Sequence, residues 1–210
     1  MTATTAAPAL DAGPARIGPN AIIRVAEALR AQAGEAATAA LFRTAGLEHY
    51  LQAMPGHMVD EREVIALHQR LRPALGEAPA RAVAREAGLL TGDYLLANRI
   101  PRAAQRVLRV LPPSLASRVL LRAIGGHAWT FAGSGTFRAE LGHPVRLSIA
   151  NCPLCRGTRA EAPLCDYYAA TFERLFRTLV SRRATVVETQ CQATGASACV
   201  FEISWKRLDG

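Results

Sequence analysis

The sequence predicts an α+β fold, with N-terminal helices packed on an antiparallel sheet, and three observations carry that reading. Apolar residues recur at helical spacing through the first half, and strand-like alternation begins only after Gly125-Gly126. One helical stretch then divides the remaining strands, giving a ββ(β)-α-ββ order in the C-terminal half. A parallel sheet would need strands and helices alternating along the whole chain, and that alternation is absent.

The elements follow in order. Ile22, Ala26, Leu29 and Ala33 form a helical stripe behind Asn20, a capping residue type. Asp60 with Glu63 has the form of a capping box, ahead of Val64, Leu67 and Leu71 on one face, and Pro73 and Gly76 close that helix. Val83, Ala87, Leu90 and Tyr94 mark the next stripe. Gly88 and Gly92 lie on a neighbouring face, where missing side chains let another backbone come close. Pro101 and Pro112-Pro113 divide an arginine-rich stretch into two short helical pieces.

Beyond Gly126, His127, Trp129 and Phe131 alternate with small residues as one face of a strand. Gly133-Ser134-Gly135 then turns the chain into Phe137, Ala139 and Leu141, and Val145, Leu147 and Ile149 alternate again. From Leu164 to Arg182 the helical period returns through Tyr168, Phe172, Leu175 and Leu179. Thr185 to Gln190 and Ala198 to Trp205 form the last two strands, joined around Gly195. This organisation gives a flexible tail at 1–18, one domain at 19–205 (helical part 19–124, sheet part 125–205) and a short tail at 206–210.

Half of the 210 residues are apolar, which excludes a disordered polymer and suffices for a core. No run of eighteen apolar residues exists, and Met1 to Gly18 lacks the basic and apolar regions of a secretory signal, so the expectation is a cytoplasmic protein. The 25 basic residues against 17 acidic ones give a net charge of +8, with Lys206 as the single lysine. Between Asp93 and Glu140 there is no acidic residue, while Arg99, Arg102, Arg106, Arg109, Arg118, Arg122 and Arg138 all fall there. Such a field attracts anionic ligands, lipid headgroups or acidic partners, although a solvated basic face reads the same way. Val107, Leu108, Leu120 and Leu121 stand beside these arginines, a combination that suits peripheral contact with a membrane. No aromatic residue interleaves between 99 and 122, which argues against nucleic-acid stacking.

The five cysteines, Cys152, Cys155, Cys165, Cys191 and Cys199, all lie in the last third. In a reducing compartment such clustering points to metal or redox chemistry before disulfides. Cys165 opens a helix, Glu188 and Cys191 leave a strand, and Cys199 enters the next one across the hairpin neck. Three thiolates and a carboxylate can close a tetrahedral zinc site. Glu188 and Cys191 have opposite strand parity, so a bulge or a strand end must let both point inward. Small buried apolar side chains explain the cysteines equally well, and both readings stay open at this level.

Cys165-Asp-Tyr-Tyr, the run Val187-Glu188-Thr-Gln-Cys191-Gln-Ala-Thr-Gly195-Ala-Ser-Ala-Cys199-Val-Phe201 and the segment Asn151-Cys-Pro-Leu-Cys155 resemble the 4-vinyl reductase domain family. The motifs lie within 150–203, and the element order extends the likeness over 19–205. The resemblance implies the ligand-binding fold of NO-signalling and TRAPP proteins, a homodimer, and a structural zinc at Cys165, Glu188, Cys191 and Cys199. Cys152 and Cys155 match none of those ligands and stand as an additional feature, a redox pair or an alternative ligand set.

The family takes its name from bacteriochlorophyll biosynthesis, where the 8-vinyl (formerly 4-vinyl) group of divinyl protochlorophyllide or chlorophyllide is reduced. That chemistry needs a hydride or electron source. Gly133-Ser-Gly135 lies in a turn, with Arg138 where a dinucleotide fingerprint needs a third glycine. One C-x-x-C pair cannot hold a four-cysteine iron–sulfur cluster. The resemblance therefore implies a module that binds a vinyl-bearing magnesium tetrapyrrole and presents it to pathway enzymes. The alternatives are the reductase itself, using NADPH, or a sensor or adaptor domain.

A zinc closed by four protein ligands supports folding, so the expected ligand site is an apolar pocket between sheet and helices. Trp129 or Phe131 would stack on a flat pigment, His127 or His143 would ligate its magnesium, and Arg138 or Arg146 would pair with a propionate.

Overall fold

The computed structural model describes residues 15–205. The first strand, β1 (Arg16–Ile17), pairs antiparallel with β2 (Val59–Asp60), setting Ile17 opposite Val59. Residues 16–17 are thus fixed in a sheet, with Ile17 buried, rather than belonging to a free tail that runs to 18. Residues 1–14 and the tail expected at 206–210 lie outside the described residues.

The helical half comprises α1 (Asn20–Thr44), α2 (His49–Gln52), α3 (Glu61–Leu75), α4 (Glu77–Asn98), α5 (Arg102–Val110), α6 (Pro113–Gly126) and α7 (Trp129–Ala132). Ile22, Ala26 and Leu29 are buried as their spacing requires. Gly34, at φ +83°, kinks α1, and Ala33 beside it is exposed, so the stripe stops one turn earlier than its periodicity suggests. Asp60 caps α3 by accepting from the Arg62 amide at 2.9 Å, while Glu63 accepts from the Tyr50 hydroxyl instead of closing a capping box. Helix α3 passes through Pro73 and ends at Gly76, whose φ of +83° a side chain would strain.

The C-terminal half adds β3 (Thr136–Glu140), β4 (Val145–Ala150), α8 (Asp166–Leu179), β5 (Thr185–Gln190) and β6 (Cys199–Ser204). These strands form one antiparallel sheet in the order β3-β4-β6-β5, as the sequence predicts. Inward residues alternate along β4 (Val145, Leu147, Ile149) and β6 (Cys199, Phe201, Ile203), and α8 covers that face. One contiguous apolar cluster runs from Ile22 and Leu29 through Phe176 to Phe201 and Ile203, joining the two halves.

Helix α8 is held between the sheet and α4. At Gly88 an added Cβ would collide with the Tyr167 carbonyl oxygen and come within 2.8 Å of the Ala170 Cβ; at Gly92 it would meet the Arg174 Cβ at 2.6 Å. Both glycines let the helix backbones approach, as their placement on one face suggests. The Thr171 hydroxyl donates to the Gly88 carbonyl at 3.0 Å, and Arg85 pairs with Glu173 at 2.7 Å along the same seam.

The segment His127–Phe131 is helical, not a strand. His127 caps α6, and amide bonds run from Thr130 to the His127 carbonyl and from Ala132 to the Ala128 carbonyl. The alternation of large and small residues here has a second explanation, since Ala128 and Ala132 are good helix formers and the turn waits for Gly133 at φ +58°. A second tie joins the halves at this turn. Glu61, at the start of α3, accepts from the Ser134 amide and hydroxyl, both at 2.8 Å, and pairs with Arg156 at 2.7 Å.

Candidate metal centre

Four chain segments converge beyond the ends of the central strands. β4 ends at Ala150, and Asn151, at φ +54°, turns the chain into Cys152. Cys165 precedes the first turn of α8. β5 leads through Glu188 to Cys191, and a short 3₁₀ turn (Gln192–Thr194) with left-handed Gly195 returns the chain to Cys199, opposite Ile149 of β4. The parity conflict between Glu188 and Cys191 is resolved by a register shift between Glu188 and Gln190 against β6, which turns both side chains to one side.

Cys165, Glu188, Cys191 and Cys199 each offer a ligand atom, and these atoms lie within 4.8 Å of one another. The Sγ atoms of Cys165 and Cys199 are 3.6 Å apart, and those of Cys191 and Cys199 are 3.8 Å apart. Ligands held about 2.3 Å from a tetrahedral zinc would be separated by about 3.8 Å, so the sulfurs already stand at the edges of such a polyhedron. Backbone groups hold them there: the Gln192 amide donates to the Cys199 sulfur at 3.5 Å, and the Gln192 side chain accepts from the Cys152 amide at 2.6 Å.

Cys152 and Cys155 belong to the same cluster, which the sequence alone did not establish. Their Sγ atoms reach Cys165 at 3.6 Å and Cys199 at 3.4 Å, and Cys152, Cys155, Cys165 and Cys199 form a second set of four. The C-x-x-C spacing was the available signal, but spacing does not tell which partners across the fold complete the set. All five cysteines are free and buried.

The electrostatics call for a cation. Burial, then the neighbouring Cys191, pushes the Glu188 carboxyl up to about 8, although the Cys165 amide donates to its Oε2 at 2.7 Å. Its Oε1 is buried with no hydrogen-bond partner. Cys155 is drawn well below the ordinary thiol range by hydrogen bonds with Cys152 and the other thiols, while Cys165 and Cys199 are pushed up, Cys152 acting first on each. Crowded sulfurs without a positive charge cannot all ionise together; a divalent ion among them removes that conflict. The residues present fit a thiophilic metal ion.

The six residues expected to bind a ligand are not gathered into one pocket. His127 is exposed, with Nδ1 2.9 Å from the Ala123 carbonyl. Trp129 is 62% exposed on α7. Phe131 instead packs edge-on against Phe137, Tyr168 and Phe172, so aromatic rings fill the space between sheet and helix where an apolar pocket was expected. His143 lies in the β3–β4 loop against the Trp205 ring, Arg138 is exposed on β3, and Arg146 pairs with Glu202 at 2.9 Å. A cleft of about 490 Å³ does open beside the cysteines, lined among others by His68, Arg72, Leu154, Arg159 and Leu164. His68 was not singled out from sequence; burial lowers it to about 4, so it is neutral at pH 7.

Residues 145–204 match the 4-vinyl reductase domain family. The chain is 47% identical over 200 residues to the bacteriochlorophyll synthase 23 kDa chain of Cereibacter sphaeroides, covering 92% of this chain and 94% of that one. It is 44% identical over 196 residues to the protein of the same name from Rhodobacter capsulatus, covering 93% and 90%. Among solved structures it is similar to an unliganded Fe(II) H-NOX protein from K. algicida (TM-score 0.59, 10% identity, covering 91% of this chain and 98% of that one). It is similar also to an H-NOX protein studied for heme distortion (TM-score 0.56, 12% identity, 91% and 96%). At those identities the likeness concerns the fold, and it agrees with the NO-signalling class expected from the sequence.

Proposed function

The chain belongs to the family of the bacteriochlorophyll synthase 23 kDa chains, with a 4-vinyl reductase domain at its C-terminal end, and on that premise we propose that it serves bacteriochlorophyll biosynthesis as a carrier. It binds a vinyl-bearing magnesium tetrapyrrole, divinyl protochlorophyllide or chlorophyllide, and presents it to a pathway enzyme for 8-vinyl reduction. The observation that carries the reading is the 47% identity along nearly the whole of both chains. An H-NOX protein of the same fold with a heme adds support for a flat macrocycle as ligand.

Cys165, Glu188, Cys191 and Cys199 hold one zinc ion, which closes the end of the sheet onto α8. When bound, the zinc supplies charge neutralisation and cross-linking, and with four protein ligands it leaves no position for substrate. The cleft beside this clasp receives one edge of the pigment. Leu154 and Leu164 give it an apolar wall, and Arg159, which no carboxylate holds among the described residues, offers a guanidinium for a propionate.

Contact with the photosynthetic membrane falls to the arginine-rich helices. Val107 (56%), Val110 (82%), Leu115 (48%) and Val119 (52%) are exposed on α5 and α6 among arginines that pair with no carboxylate among the described residues. Among the described residues no helix is long and apolar enough to cross a membrane, so this contact is peripheral.

An absorbance and fluorescence titration with divinyl and monovinyl protochlorophyllide, with and without NADPH, tests the proposal. Saturable binding with the pigment unchanged supports a carrier. Conversion of the divinyl to the monovinyl pigment with NADPH replaces the carrier by a reductase, and absence of any spectral change removes the tetrapyrrole.

A further inference from the structure

We propose that the cysteine cluster is a two-metal site, in which Cys165 and Cys199 bridge two divalent thiophilic ions. Cys152 and Cys155 complete the shell of one ion, and Glu188 and Cys191 complete that of the other. The inference rests on the zinc reading above and extends it to the two cysteines which that reading leaves unused.

The geometry is that of two tetrahedra sharing an edge. Two sets of four ligand atoms, each set within 4.8 Å, have two members in common, and the shared pair stands 3.6 Å apart. On one side of this edge, Cys152 lies 3.6 Å from Cys165 and Cys155 lies 3.4 Å from Cys199. On the other, Cys191 lies 3.8 Å from Cys199. These separations match the roughly 3.8 Å edge of a tetrahedron with zinc–sulfur bonds of about 2.3 Å. Bridging is ordinary thiolate chemistry, because a deprotonated sulfur has more than one lone pair to donate.

Charge and burial favour two ions over one. Five thiolates and one carboxylate carry six negative charges, and two divalent ions leave two of them. A single ion in the Glu188 set would leave Cys152 and Cys155 as thiols, 0% and 2% exposed, in contact with metal-bound sulfurs and without ligands of their own. The Cys152-Pro-Leu-Cys155 segment has the two-residue spacing by which a tight turn gives both of its sulfurs to one ion. The Gln192 side chain pins this turn through the Cys152 amide, and the Gln192 backbone amide donates to the bridging Cys199 sulfur. One residue thereby positions a terminal ligand of the first ion and a sulfur common to both.

The test counts metal. The full chain, reduced under argon, is equilibrated with Zn²⁺, desalted and analysed by plasma mass spectrometry. A parallel titration with Co²⁺ follows the thiolate-to-cobalt absorbance. The expected result is two zinc ions per chain and cobalt absorbance that saturates at two equivalents. Cys152→Ser with Cys155→Ser retains one ion, and so does Glu188→Gln with Cys191→Ser, each with its helical circular dichroism preserved. If the unaltered chain takes one ion and the Cys152/Cys155 double variant keeps it, the two-metal site is wrong and the single zinc reading stands. If that one ion is lost with Cys152 and Cys155 but kept without Glu188 and Cys191, both readings are overturned. An unaltered chain that binds no ion also ends both. Where a variant does not fold, the cobalt end point of the unaltered chain decides: saturation at one equivalent overturns the proposal.

Discussion

Cys165 and Cys199, which stand at the beginnings of α8 and β6, meet with their sulfurs 3.6 Å apart across 34 positions of sequence. Every other thiol in the chain reaches one or both of them. The contact fastens the terminal hairpin to the helix that covers the sheet, so metal occupancy and the stability of this end of the molecule are one quantity.

Metal removal is therefore expected to lower the melting temperature and to loosen residues 151–165 and 188–199 before the helical half. A strong chelator followed by calorimetry and hydrogen exchange resolved along the chain checks this. Glu188→Gln keeps an acceptor for the Cys165 amide but removes a charged ligand, and zinc affinity should fall at least about tenfold. An unchanged affinity would remove Glu188 from the ligand set.

The seam between α4 and α8 gives a prediction with opposite signs. Gly88→Ala places a methyl group against the Tyr167 carbonyl and the Ala170 side chain, and should cost about 1–3 kcal/mol. Gly125→Ala, on a helix face with no atom within 4 Å, should gain about 0.5–1 kcal/mol from helix propensity. Urea unfolding of the two variants beside the parent measures both.

Stability should fall between neutral and mildly acid pH through His68. Burial holds it neutral down to about 4, whereas in the unfolded chain it takes up a proton near its ordinary 6.5. The unfolded state thus binds more protons as pH falls through that window, and the contribution present above 6.5 is progressively lost, by about 2 kcal/mol at pH 5. His68→Gln should flatten this part of the curve, measured by denaturant midpoints from pH 7.5 to pH 4.5. Glu61 acts lower. Its burial is outweighed by the Ser134 amide and Arg156, which hold it below its usual 4.5, so its contribution is lost only as pH falls through that lowered value.

Flotation with vesicles rich in anionic lipid should bring the protein to the membrane fraction, with association falling as salt rises. Val110→Asp, at the most exposed apolar position of α5, should weaken it several-fold without changing the melting temperature. Equal association with neutral vesicles would point away from the arginines.

The parts of the fold legible in sequence are those with one buried face. Val145, Leu147 and Ile149 alternate because α8 covers them, and β5 falls at the expected residues because its turn at Gly195 is fixed. His127–Phe131 misled because its intervening residues are small, so one short run satisfies both a strand and a helical turn. Strand β1, two residues long, offers no periodicity at all. Four of the clustered ligands came from resemblance; Cys152 and Cys155 joined them only when β4, α8 and the hairpin were brought to one point. The space expected for a pigment was lost to Phe131, whose ring turns inward once α7 replaces the strand.

The carboxylate of Glu61 has one further consequence. It occupies the niche beside Gly133 that a side chain there would fill, and it is answered by Ser134 and Arg156 from the other half of the chain. Neither half is a separable module: an excised sheet portion would carry an arginine and a bent backbone shaped around nothing, and the helical remainder would end in an unanswered anion.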